Sequence, residues 1–160
     1  MNPESTASLQ GPKNILVAVD GSEISGKAIA FAIMVAKLSS SSLTILNVIQ
    51  LPGFLSMQEP TMSRTVDKVL DDYKRKARET ITPFMDNALS KAKAEGVHAS
   101  SEILDMGDSP VKVITDYAET HKVDLIIVGN RGLGGFKKLL IGSVSSGIVN
   151  HAHCSVIVVK

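Results

Sequence analysis

Cysteine is nearly absent from this 160-residue chain, Cys154 being the only one. No intramolecular disulfide can form, which excludes the small secreted domains that depend on such bridges and points to a reducing compartment. Charge of one sign is lacking as well. The chain has 17 basic and 16 acidic residues, a formal net charge of +1, so no global field draws it to nucleic acid or to an anionic membrane. Long apolar runs are also missing: no stretch reaches the roughly 20 apolar residues that span a bilayer. Residues 1–10 have neither the basic start nor the apolar run of a signal segment. Together these absences predict a cytoplasmic protein, without nucleic-acid or membrane partners, whose ligand must be read from a local site.

What is present is enough for one core, since a chain of this length buries roughly 70% of its unfolded surface. Residues 1–13, rich in Ser, Pro and Gly, read as a flexible leader, and the domain as 14–160. Apolar runs of strand length recur at 15–19, 43–48, 97–104, 125–128 and 156–159, with helical patterns between them. A run such as Leu125-Ile126-Ile127-Val128 suits a parallel strand covered on both faces. The prediction is an α/β fold, a doubly wound open parallel five-stranded sheet with helices on both faces. Ser22 reads as the cap of a first helix running to about Leu38, and Ser109-Pro110 as the cap and first position of a later one. Val66, Val69, Leu70, Tyr73, Ala77, Ile81, Met85, Ala88 and Ala92 recur at helical spacing and predict one buried stripe. Pro83, inside that pattern, predicts a kink or a break at Thr82. Residues 50–63, with Pro52, Gly53 and Pro60, show no period and are longer than an ordinary connection. They read as a variable crossover, or as a lid or partner-binding segment.

In open α/β sheets ligands bind beyond the carboxyl ends of the strands. Those ends are Val19-Asp20-Gly21, Asn47-Val48, Asp105-Met106-Gly107 and Val128-Gly129. Three of the four carry glycine, which permits positive φ and close backbone approach. Asp20 is open to three roles: acceptor for a ribose hydroxyl, metal ligand, or cap of the helix that follows. After Gly129, the glycines 132, 134 and 135 precede a short apolar piece, and Gly142 opens a helix. The unpaired N–H groups and positive dipole end of that helix could hold a phosphate, with the hydroxyls of Ser143 and Ser145 beside them.

Competing motifs fail position by position. No Lys-Ser or Lys-Thr follows a glycine at the P-loop spacing, and Lys137 stands where a dinucleotide fingerprint needs its third glycine. Ser145 has Ser143 where the elbow of a serine hydrolase has glycine. His151, His153 and Cys154 lack a second group of zinc ligands elsewhere. Lys74, Arg75, Lys76 and Arg78 alternate with Asp71, Asp72 and Glu79, the pattern of a solvated helix face.

The spacing Gly129-x2-Gly132-x9-Gly142-Ser143 is similar to the ATP-binding signature of the universal stress protein family. The run from Ile15 through Asp20-Gly21-Ser22, the pair Gly107-Asp108 ahead of a helix, and Asp124-Leu125-Ile126-Ile127-Val128-Gly129 resemble the same family, so the resemblance covers residues 14–160. It implies ATP as ligand, with Mg2+ accompanying the triphosphate. Asp20, next to Val19, would lie against the nucleoside, and Val48 would contact adenine through its backbone. Gly107, Val128, Gly129, Arg131 and Gly132 belong to the implied binding set, and the segment Gly142, Ser143, Val144 and Ser145 would cradle the phosphates. The resemblance further implies a homodimer through the C-terminal strand and a regulatory or stress-protective role. Hydrolysis is at most weak, and the sequence offers no dedicated general base for it. Ser155 departs from the family, which often has proline before the last strand. Two other readings stay open: a slow ATP hydrolase or phosphotransferase, and a structural dimer without nucleotide.

Overall fold

The computed structural model describes residues 11–51, 64–105, 109–133 and 141–160. In chain order they form β1 (Asn14–Val19), α1 (Glu23–Ser39), β2 (Ser42–Ile49), α2 (Arg64–Ala94), β3 (Ala99–Asp105), α3 (Pro110–Thr120), β4 (Leu125–Gly129), α4 (Ser143–His151) and β5 (Ser155–Val159). The strands make one sheet in the order β3-β2-β1-β4-β5, and every pairing in it is parallel.

The near-continuous apolar strands are explained by cover on both faces. Ile15, Val17, Val19 and Ile127 face α1 and α2, while Leu16, Ala18, Ile126 and Val128 face α3 and α4. Alternate residues of one strand therefore enter different cores. Each fully buried Leu, Ile or Val side chain contributes about 1.5–3 kcal/mol relative to an exposed one, and Leu16, Val17, Ile126 and Ile127 are inaccessible to solvent.

The helix starts follow the sequence signals. The Ser22 hydroxyl accepts from Ser25 N at 3.2 Å, and the Ser109 hydroxyl accepts from Lys112 N at 3.2 Å, with Pro110 opening α3. At the amino edge, the backbone N–H groups of Lys13 and Asn14 both donate to Asp124 Oδ2 at 2.8 Å, which ties the entry of β1 to that of β4. Ser155 opens β5 in regular register opposite Leu125.

Of the kink or break expected at Thr82, helix α2 shows no break: it runs on through Pro83. Pro83 lacks the N–H that would bond the Glu79 carbonyl, but both residues are solvent-exposed, so that carbonyl is open to water and the cost of an interior proline is reduced. The stripe is also not buried throughout. Ile81, Met85, Ala88 and Ala92 pack into the core, whereas Val69 and Tyr73 are 51% and 37% exposed. The first half of α2 reaches past the sheet: the Tyr73 hydroxyl donates to the carbonyl of Gln50, beyond the end of β2, at 3.0 Å. Most of the long connection expected at 50–63 lies outside the described residues.

Candidate functional site

The sheet order reverses between β1 and β4, the place where open parallel sheets form a crevice at their carboxyl ends. A cleft of about 1000 Å³ opens there. Strand β1 contributes Val19 and the following Asp20, β2 contributes Val48, and β4 contributes Val128 and Gly129. Arg131 and Gly132 follow β4, and Gly142, Ser143, Val144 and Ser145 come from the start of α4. Every sequence-predicted residue except Gly107 therefore lines one cleft, and Gly107 lies outside the described residues.

Strand ends of unequal length shape the cleft. The β1–β2 ladder stops at Val19 and Asn47, so Val48 and Ile49 run on without a partner strand on the β1 side. One backbone edge of β2 is thereby presented at the mouth of the cleft. The buried Asn47 side chain donates to the Val19 carbonyl at 2.8 Å and holds the two strand ends together.

Asp20 makes contacts that none of its three expected roles includes in full. One carboxylate oxygen accepts from the backbone N–H of Ser22 at 3.0 Å, at the start of α1. The other accepts from the backbone N–H of Leu133 at 2.7 Å, in the loop after β4. The glycines also divide by cause. Gly21 has φ +84°, a left-handed turn that favours glycine. Gly129 and Gly132 are not in that region and matter for space. A Cβ at Gly129 would stand 2.6 Å from Cγ2 of Ile24 on α1, and one at Gly132 would overlap the Asp20 carboxylate.

The amino end of α4 differs from those of α1 and α3 in having no side-chain cap. Gly142 is its N-cap residue, and the Gly142 N–H donates to the Asn130 carbonyl at 2.6 Å. The first N–H groups of a helix have no acceptor within it, and they carry the positive end of its dipole. Here they border the cleft. Ser145, expected to offer its hydroxyl to a ligand, is buried and donates that proton to the Gly129 carbonyl at 2.6 Å. Ser143 keeps an exposed side chain.

One wall of the cleft was not anticipated. Tyr73, Lys76, Ala77, Thr80 and Ile81 of α2 line it on one side, and Pro110 and Ile114 of α3 on another. The signal was the apolar stripe of α2 itself, whose first half covers the cleft rather than the core. Lys76 is exposed, as expected for its basic run, and also borders the cleft. The rest of that run is paired, with Arg75 bonded to Asp72 and Glu79 at 3.0 and 3.1 Å and Arg78 bonded to Asp105 at 2.7 Å. Cys154, on the opposite side of the sheet from α1, has its thiol pKa pushed up by burial, which keeps it a weak nucleophile. Among the described residues no helix is long and apolar enough to cross a membrane.

Comparison with known proteins bears on this architecture. Residues 11–160 match the family model described as the universal stress protein family. The chain is 30% identical over 146 residues to the universal stress protein YxiE of Bacillus subtilis (strain 168), covering 91% of this chain and 97% of that one. Among solved structures it is similar to the universal stress protein UspA from Lactobacillus plantarum, with a TM-score of 0.72 at 27% identity, covering 92% and 97% of the two chains. It is also similar to the universal stress protein from Archaeoglobus fulgidus in complex with dAMP, with a TM-score of 0.64 at 23% identity, covering 92% and 98%. At that identity the last likeness is one of fold.

Proposed function

Because this chain belongs to the universal stress protein family, we propose that it binds ATP in the cleft at the carboxyl ends of its strands and acts as a cytoplasmic regulatory or stress-protective module. One observation carries the reading: residues picked from sequence at the ends of three strands and the start of a helix line a single cleft. The uncapped first turn of α4 offers N–H groups and a dipole end to the phosphates. The overhanging edge of β2 at Val48 offers backbone groups to the adenine edge. The Archaeoglobus fulgidus protein of the same fold is in complex with dAMP, an adenine nucleotide, which favours adenine over other bases.

Mg2+ enters this proposal with the triphosphate. Among the described residues no group of three His, Cys, Asp or Glu side chains is placed to hold a metal, and Mg2+ is commonly bound through substrate phosphates and water rather than by an all-protein cage. The proposal includes a homodimer. Strand β5 is an edge of the sheet with half-buried Val156, Ile157, Val158 and Val159, and pairing it with its copy across a two-fold axis satisfies the free backbone groups. Sedimentation should give a dimer, and a concentration-independent monomer would remove this part.

Thermal unfolding with and without nucleotide tests the ligand. A ligand that binds only the folded state stabilises it by about 2.7 kcal/mol at 100 times its dissociation constant. Millimolar MgATP should raise the melting temperature, and MgGTP should raise it less. No shift with MgATP overturns the reading in favour of a structural dimer, and steady release of phosphate from labelled ATP moves it to a slow hydrolase.

A further inference from the structure

We infer that Asp20 is a positioning residue, a latch that fixes the loop after β4 and thereby sets where a ligand's phosphates meet Gly132 and α4. The inference rests on the proposed nucleotide site for its functional consequence, and on the geometry of the apo protein for the latch itself.

The described stretch 130–133 is held at its two ends by different means. At Asn130 the backbone is fixed twice, its N–H donating to the Val159 carbonyl at 2.7 Å and its carbonyl accepting from Gly142 N at 2.6 Å. Three residues on, packing no longer helps: Arg131 and Gly132 are exposed, and the Leu133 side chain is 75% exposed. What anchors Leu133 is the 2.7 Å bond from its N–H to the Asp20 carboxylate. The second oxygen of that carboxylate is held at 3.0 Å by Ser22 N, so Asp20 is itself oriented by the start of α1. Bonds from backbone N–H to an ionised carboxylate are roughly twice as strong as neutral ones. The loop passes so close to the carboxylate that a Cβ at 132 would displace it. The glycine of the signature is therefore matched to the aspartate at the end of β1, on the opposite side of the switch point.

Both oxygens of Asp20 are engaged by protein N–H groups, which orients the carboxylate toward the protein backbone. A substitution at Asp20 then acts on ligand binding through the loop, whichever part of the ligand lies nearest.

The test uses the full chain. Asp20→Asn keeps the shape of the side chain but places an amide N–H2 where one of the two N–H donors must be accepted. In the protein without ligand, exchange of the Leu133 amide should become about 10-fold faster or more, the scale set by loss of a charged hydrogen bond, while exchange at Val17 in β1 is unchanged. Gly132→Ala should reproduce the Leu133 effect by pushing the carboxylate away, and it serves if Asp20→Asn fails to fold. Unchanged Leu133 exchange in both variants overturns the latch. For function, MgATP and inorganic tripolyphosphate should lose affinity by the same factor in Asp20→Asn. A loss confined to MgATP means that Asp20 contacts the nucleoside directly, and overturns the positioning role. If the wild type binds neither compound, the nucleotide reading fails while the exchange experiment still decides the latch.

Discussion

The hydroxyl of Ser145 donates to the carbonyl oxygen of Gly129 at 2.6 Å, joining the first turn of α4 to the last residue of β4. Both residues border the cleft, so the position of the helix end relative to the sheet depends on a buried hydrogen bond. Ser145→Ala should lower stability by about 1–2 kcal/mol, because a buried bond is lost and its acceptor is left behind. Ser143→Ala, at an exposed side chain two residues earlier, should stay within about 0.5 kcal/mol. Urea denaturation of the two variants checks this, and equal effects would contradict the inward orientation of Ser145.

Gly142 offers a test in which stability and binding move in opposite directions. Its backbone, at φ −69° and ψ 161°, has the extended conformation of an N-cap residue, and a Cβ there would meet Asn130 O at 3.4 Å and Arg131 Cα at 3.6 Å, an ordinary contact. Serine is a better cap than glycine by a few tenths of a kcal/mol. Gly142→Ser should therefore raise the melting temperature of the ligand-free protein slightly. Its hydroxyl would occupy the N–H groups proposed for the phosphates, so the shift produced by MgATP should shrink. A variant that keeps the full MgATP shift would exclude the α4 end as the phosphate site.

Helix α2 gives a third test. Ala77 lies in the cleft wall between Tyr73 and Ile81, and a large ring at this position projects into the cleft rather than the core. Ala77→Trp should abolish the thermal shift with MgATP while changing the stability of the free protein by less than about 1 kcal/mol, since no packed volume is overfilled. Loss of folding instead would place residue 77 in the core.

Tyr117 supplies a pH dependence away from the cleft. Burial, reinforced by the bond from its hydroxyl to Glu102 Oε1 at 2.6 Å, pushes its phenol up to about 12. An unfolded tyrosine titrates near about 10, so between these values the folded state holds the proton that the unfolded chain has released. The stability from this group is complete below about pH 10 and is lost as pH rises toward 12. Denaturation at pH 9 and pH 11 should show wild type losing more stability than Tyr117→Phe. The variant should also be weaker at pH 9 by about 1 kcal/mol for the missing hydrogen bond. An equal loss over that interval would refute the shifted phenol.

Much of the fold was legible because its signals are local. Ser22 and Ser109 cap helices within three residues of themselves, and the run 125–128 is apolar without interruption because α1 covers one face and α3 and α4 the other. The burial of α2 was not legible. Periodicity states which side chains share a face, but not what lies beneath it, and beneath Tyr73 and Ala77 the sheet has ended. The strand-end and α4 members of the cleft were legible too, since strand ends and a glycine-opened helix can be found by position, whereas its α2 and α3 wall was not. The direction of its hydrogen bonds was not. Asp20 meets Leu133, and Ser145 turns to Gly129, through contacts between distant parts of the chain that leave no mark in spacing.

The strand order has a consequence for how the chain reaches its folded state. Strand β1 pairs with β2 on one side and β4 on the other, so Ile15 waits for Leu125. Contacts this far apart in sequence close large loops before they are rewarded, and they slow folding. During synthesis the first three strands can assemble while one edge of β1, apolar along its length, still lacks a neighbour, the kind of open edge that invites association between chains. The cleft does not exist until β4 docks there and α4 settles behind it. A ligand that needs both halves can add its stabilisation only to the completed topology, so its concentration would act on the final step of folding and leave the earlier ones untouched.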